Sequence, residues 1–317
     1  ALVAGPGTNN PFGGKRVIVI GIDGLTDESI DPSESPRLTT VPNFDALRAN
    51  GTTTFNAYCG GDVGTVTEQP TISGPGWATI MSGVYANKHG IINNKSNGPG
   101  SLANYPFFFK YIKQYASSAH LSSSITWPRV DGKMIETSIL SGESDFMNFR
   151  HVSSPTGTND DAHIAERNEW TRDAVVNQLT NADPDAIFIH LGDPDYYGHT
   201  YGFSHSLYYD SVETVDGYIG DILTAMQARP SYALEDWLVI VVTDHGGSGT
   251  GHDGQNDDNR IIPLIVSGGA TASGVTETTS IGLHVVPAIA MAHLGVPVDV
   301  NWGWEPGIYA LPDLNDF

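Results

Sequence analysis

Seven residues, Asp23, Ser73, Asp195, His199, Asp244, His245 and His252, have types and surroundings suited to chemistry on divalent metals and an anion. Carboxylates and imidazoles are hard and borderline ligands for such ions. Nearly all of these residues follow β-like runs or sit in glycine-rich turns, so they can be read as one bimetallic site. Each also has an ordinary reading. Ser73, in PTISGPGWATIMSGVYANKHGI, precedes a helix-like run, where free N–H groups and the helix dipole favour an alkoxide or a phosphate. A serine there can equally be only a helix cap. Asp244-His245 ends WLVIVVTDHGG and either supplies two ligands to one ion or makes loop contacts. Asp195 and His199, in DPDYYGHTYG, are four residues apart, so one helical or compact loop turn brings them together. His252 lies in GGSGTGHDG, whose backbone can approach a metal or phosphate closely, or it is a solvated loop histidine. The remaining histidines, His190 among them, lack such context and read as structural or surface residues.

The elements that must position these residues are legible as short apolar runs. Lys15 to Ile22 (KRVIVIGI) is a continuous β-branched stretch, as in a strand buried on both faces, and presents Asp23 at its carboxyl end. Similar runs occur at 186–191, 237–243 and 261–267. Helical patterns separate them at 41–50, 76–84, 168–179 and 206–226. Alternating strands and helices predict an α/β fold, a central, largely parallel sheet between two helical layers, with ligands at the carboxyl ends of the strands. The single domain is expected to span residues 1–317, with 96–182, weaker in periodicity and carrying the aromatic run YPFFF, as a substrate-shaping region.

The balance of 36 acidic to 15 basic side chains, a net charge of −21, opposes binding to nucleic acid polymers and anionic membranes. No run of apolar residues is long enough to insert in a membrane. The single cysteine, Cys59, excludes an intrachain disulfide and a cysteine-rich zinc cage. The Ala-first opening, ALVAGPGTNNPFGG, fits a trimmed secretory precursor. With the acidic surface, it gives the expectation of a secreted or periplasmic protein. The acidic pairs at 160–161 and 257–258 are candidate structural calcium sites, with solvated loops as the alternative.

The ordered set of IDG at 22–24, PTISGPGWATIMSGVYANKHGIINN at 70–94, DPDYYGHTYG, and TDHGG followed by GHDG resembles the alkaline phosphatase superfamily. It is most similar to the type I phosphodiesterase/nucleotide pyrophosphatase branch. The resemblance implies an alkaline phosphatase-like fold and a hydrolase acting on a small phosphate ester with two divalent ions, zinc first. It implies that Asp23, Asp244 and His245 hold one ion, with Ser73 as nucleophile beside it, and that Asp195, His199 and His252 hold the other. Asn94 matches the asparagine that donates to a phosphate oxygen, with the backbone N–H groups after Ser73 as its partners. A phosphoseryl intermediate would follow.

The chain departs from the branch in carrying serine where threonine is usual and in the short gap between His245 and His252. A phosphomonoesterase of the alkaline phosphatase type is the alternative. A sulfatase would need arginine where Trp77 stands in Ser73-Gly-Pro-Gly-Trp77. Phosphoglycerate mutases of this superfamily carry an inserted domain for which the length leaves little room. A noncatalytic, metal-stabilised binding protein is the reading from another class. Lys88, Lys95 and Arg129 are the cations considered for a doubly charged phosphate. Trp77, Phe107, Phe108, Trp127 and Tyr196 are the aromatics considered for a leaving group, each with core packing as its alternative.

Overall fold

A computed structural model describes residues 10–95, 101–153 and 161–306. Residues 1–9 and the carboxylates of the 160–161 pair lie outside what it describes. Among the described residues, nine strands form one sheet: β1 (Lys15–Ile22), β2 (Gly51–Tyr58), β3 (Leu121–Ile125), β4 (Phe149–Val152), β5 (Ala186–Leu191), β6 (Asp236–Val242), β7 (Ile261–Gly268), β8 (Val275–Glu277) and β9 (Ile281–Gly282). Their order is β4-β3-β5-β1-β6-β7-β2-β8, with β9 also beside β2. Only β7 runs against its neighbours; the other pairs are parallel.

Both faces of the central strands are buried, which is why their sequences are continuously apolar. In β1, Val17 and Val19 enter one core while Ile18, Ile20 and Ile22 enter the other. The first core packs under the helices Ser73–Ser82 and Val286–Leu294, the second under Pro42–Ala49, Asp161–Asn181 and Ser206–Gln227. This is the three-layer α/β arrangement expected from the alternation of patterns.

The register fixes where the chemistry sits. Gly21 pairs with His190 on β5 and with Val242 on β6, so the three strands end nearly level. Asp23 and Asp244 each stand two residues beyond the Gly21–Val242 pair and emerge side by side. After β5 the chain turns at Gly192 into the helix Asp193–Tyr201, which carries Asp195 and His199 on one face.

The helix expected at 76–84 begins earlier, at Ser73, and stops at Gly83, whose φ of 74° is the left-handed conformation common at helix ends. The helix expected at 168–179 extends over Asp161–Asn181. The described part of 96–182 is built into the sheet, where β3 pairs with β5 and β4 extends the edge. Among the described residues, no helix is long and apolar enough to cross a membrane.

Candidate metal centre

Ser73 is the first residue of its helix, and it does not cap it: the N-cap is Ile72, with no side-chain bond. Its Oγ lies 3.4 Å from Asp23 Oδ1 and 3.3 Å from His245 Nε2. The cap alternative therefore gives way to a hydroxyl aimed into the acidic cluster. Gly76, one turn on, permits this approach, because a Cβ there would stand 2.7 Å from the Asp244 carbonyl oxygen and 2.8 Å from Asp244 Cβ. Gly76→Ala should push the helix off the β6 loop, costing roughly 1–3 kcal/mol in thermal or urea unfolding. Activity should fall by about 100-fold, since ångström-scale displacement of a reacting group has that effect. Wild-type stability and turnover in this variant would show that the helix has room to spare.

The imidazoles are oriented by backbone carbonyls. His245 Nδ1 meets the Gly246 oxygen at 2.8 Å, His252 Nδ1 the Thr71 oxygen at 2.8 Å, and His199 Nδ1 the Thr250 oxygen at 3.0 Å. A carbonyl can only accept, so each Nδ1 carries the proton and each Nε2 presents a lone pair. Those lone pairs face one another and the carboxylates. His252 Nε2 is 3.0 Å from His199 Nε2 and 3.6 Å from Asp195 Oδ1, and His245 Nε2 is 3.3 Å from Asp244 Oδ2. Asp195 Oδ1 and Asp244 Oδ2 are buried with no hydrogen-bond partner among the described residues. Convergent lone pairs and orphaned carboxylate oxygens are costly by themselves and are what a bound cation satisfies, so the residues fit divalent metals.

Among the described residues, two groups of His, Asp or Glu have ligand atoms within 4.8 Å of one another: Asp23, Asp244 and His245, and Asp195, His245 and His252. The first coincides with the set the resemblance implied. In the second, His245 stands where His199 was expected. His199, with 47% of its side chain exposed, flanks that group, its Nε2 3.5 Å from Asp195 Oδ1. Asp257 and Asp258 are exposed in the first turn of a four-residue helix and belong to neither group.

Burial pushes Asp195 well above the usual carboxylate range, with the Asp23 charge adding to it; burial and the charges of Asp23 and Asp195 do the same to Asp244. Burial would raise Asp23 too, but the hydrogen bond from His190, the His245 and His190 charges and the Trp77 bond outweigh it and hold it low. One carboxylate is thus favoured in its charged form while its neighbours are pushed toward the protonated one, as crowded like charges require. Burial pushes His245 down to about 3, so it is neutral at physiological pH. Because metal ligands must be deprotonated, zinc uptake by metal-free protein should release protons from Asp195 and Asp244, and zinc affinity should rise with pH. Calorimetry in buffers of different ionisation enthalpy checks this; a buffer-independent heat contradicts it.

Asn94 is joined to the nucleophile's helix, its Oδ1 accepting from the Gly74 N–H at 2.7 Å. That bond corrects the expectation that the N–H groups after Ser73 are donors to phosphate. Gly74 is engaged, Pro75 has no N–H, and the Gly76 N–H goes to the Ile72 carbonyl. The Asn94 amide nitrogen remains as a local donor. Arg129 and Lys133 hold the Asn94 carbonyl at 2.6 and 3.3 Å, and Lys88 pairs with Glu305.

A cavity of about 270 Å³ opens between Ser73, Asn94 and the Asp193–Tyr201 helix. Its outer wall is Thr126, Trp127, Ile164, Arg167 and Tyr196. Of the aromatics considered, Trp127 and Tyr196 line it, whereas Trp77, Phe107 and Phe108 are core residues. Two functional candidates were missed. Arg167, one residue before the helical pattern at 168–179, was not singled out. His190, at the end of β5, read as a structural residue, but its Nε2 lies 3.2 Å from Asp23 Oδ2. Its place two residues before the turn into the Asp195 helix was the available signal.

The family described as type I phosphodiesterase / nucleotide pyrophosphatase matches residues 17–272. Among curated proteins, GPI ethanolamine phosphate transferase 1 of Candida glabrata is 24% identical over 276 residues, 83% of this chain. The chain spans only 28% of that protein's length. Among solved structures, murine ectonucleotide pyrophosphatase/phosphodiesterase 5 superposes with a TM-score of 0.62 at 14% identity, covering 89% of this chain and 95% of the other. Ps i-CgsB, solved with k-i-k-neocarrahexaose, gives a TM-score of 0.65 at 16% identity, covering 92% of this chain and 74% of that one. At these identities the two structures are likenesses of fold.

Proposed function

The chain belongs to the type I phosphodiesterase / nucleotide pyrophosphatase family of the alkaline phosphatase superfamily, and from that premise we propose that it hydrolyses a small phosphate diester through a covalent phosphoseryl ester at Ser73. The observation that supports this most is the Ser73 hydroxyl, unused as a cap and turned toward Asp23 and His245. In this reading Asp23, Asp244 and His245 hold one cation, and Asp195, His252 and His199 the other, with His245 between them. Zinc suits the mixed carboxylate and imidazole donors. Bound cations supply Lewis-acid stabilisation of the attacking and departing oxygens.

The chain's own residues do the rest. The Ser73 oxygen bonds phosphorus as one ester P–O bond breaks, the hydroxyl proton ending on the departing alcohol and the second ester staying on phosphorus; water then cleaves the Ser73–phosphorus bond and releases the monoester. Asn94 donates its amide N–H to a nonbridging oxygen, held in place by Gly74, Arg129 and Lys133. Trp127, Ile164 and Tyr196 form an apolar wall for the leaving group, which gives the 96–182 region, through Trp127 and Ile164, a share in shaping the substrate site.

A phosphomonoester is the second reading, favoured by Arg167 in the same cavity wall, because a guanidinium suits a second phosphate charge. The test is a paired assay of zinc-loaded protein on bis-p-nitrophenyl phosphate and p-nitrophenyl phosphate, with a chelated sample alongside. A metal-dependent preference for the diester is expected. Preference for the monoester moves the protein to the phosphatase reading, and turnover that survives complete chelation defeats both.

A further inference from the structure

Two buried N–H groups converge on one oxygen of Asp23. Trp77 Nε1 donates to Asp23 Oδ2 at 3.0 Å, and His190 Nε2 lies 3.2 Å from the same atom. Because a carboxylate oxygen only accepts, the His190 proton is on Nε2. Both rings have no solvent exposure and pack edge to face, with centroids 4.7 Å apart. Strand β1 makes room for the indole at Gly21, where a Cβ would stand 2.5 Å from the Trp77 ring. Asp23 Oδ1 is turned the other way, 3.4 Å from both Ser73 Oγ and His245 Nε2.

We infer that Trp77 and His190 are positioning residues that clamp Asp23 Oδ2, so that this carboxylate offers a cation one oxygen only, and that the clamp tunes the site to zinc over manganese. The inference rests on the two-cation reading above. With Asp23 restricted to Oδ1, the donors around that cation are Asp23, Asp244 and His245, the three protein ligands of a four-coordinate catalytic zinc site with its fourth place open. A carboxylate free to swing and bind through both oxygens suits manganese, which takes more oxygen ligands. The same clamp gives Trp77 a task unlike that of an arginine at its position, which would add a cation beside the phosphate.

The test is the zinc and manganese affinity of metal-free protein, measured by competition with a chromophoric chelator. The variants are Trp77→Phe, His190→Leu and His190→Gln, the last keeping an N–H donor of similar reach. Trp77→Phe and His190→Leu should each weaken zinc binding by about 10- to 100-fold, as loss of a partner to a metal ligand does. Manganese binding should change much less, so the zinc-to-manganese ratio falls, and His190→Gln should restore most of it. A merely structural role would weaken both ions together. If Trp77→Phe, folded by circular dichroism, keeps the wild-type ratio, the clamp is wrong while the two-cation site stands. If Trp77→Phe does not fold, the two His190 variants decide by the same ratio. If the wild type binds neither ion, the two-cation reading falls and the clamp with it.

Discussion

Ser73→Ala should lower kcat by at least about 10³-fold while leaving bound zinc and the unfolding midpoint close to wild type, because it removes the bond-forming atom and little else. The separation of these readouts follows from the position of the side chain. Its Oγ caps no helix, and the helix N-cap is Ile72, so the usual cost of losing a serine cap, about 1 kcal/mol, does not apply. The cation donors that matter most are the carboxylates and imidazoles, which the substitution leaves in place. Rapid acid quench of the wild type on a chromogenic diester should trap the aryl phosphoryl group, with its remaining ester, on Ser73, and the variant should trap none. Near-normal kcat in the variant would remove the covalent mechanism, whereas loss of zinc together with activity would make the serine a ligand first.

The sequence pattern located the carboxyl ends of β1, β5 and β6 because those strands are buried on both faces and leave an unbroken apolar signature. Asp23, Asp195 and Asp244 could therefore be placed at one edge of a sheet. Strands farther from the centre of the sheet were harder. β3 reads LSSSI, and two of its serines bond to the neighbouring helix, Ser122 Oγ to the Gln178 side chain and Ser124 Oγ to the Thr171 carbonyl, so a buried strand carries polar residues. β2 reads GTTTFNAY and mixes threonines with a register shift between Thr54 and Ala57. Such strands are recognisable only once their partners are known. The site shows the same division. Ligand-type residues at strand ends were visible, but the function of a core position was not. His190 and Trp77 meet Asp23 because of the β1–β5 register and the approach of the Ser73 helix, neither of which a local motif records. The Gly74 N–H was likewise expected to face phosphate, and only the fold of 90–95 back over the helix shows that Asn94 has taken it.

Asp244→Asn should abolish high-affinity binding of one cation and lower activity by at least about 100-fold, yet leave the metal-free protein as stable as wild type or more so. The reason is the crowding of Asp23, Asp195 and Asp244. Burial and the neighbouring charges hold the Asp244 pKa well above its ordinary value of 3.8 without a cation. The folded metal-free protein thus binds a proton there that the unfolded chain releases as pH rises past the ordinary carboxylate range. By linkage, this contribution to stability is present at low pH and is lost as pH climbs through the raised pKa. Asparagine resembles the protonated acid, keeps the shape and carries no charge to bury. Chemical unfolding of both metal-free proteins across pH should show the variant gaining on the wild type as pH rises, with the gap closing in acid. Zinc reverses the order, because a cation that binds only the folded wild type adds stability in proportion to its affinity. A variant that is less stable than wild type in the absence of metal at every pH would mean that Asp244 is held ionised by partners within the protein, and that its burial is not waiting on a cation.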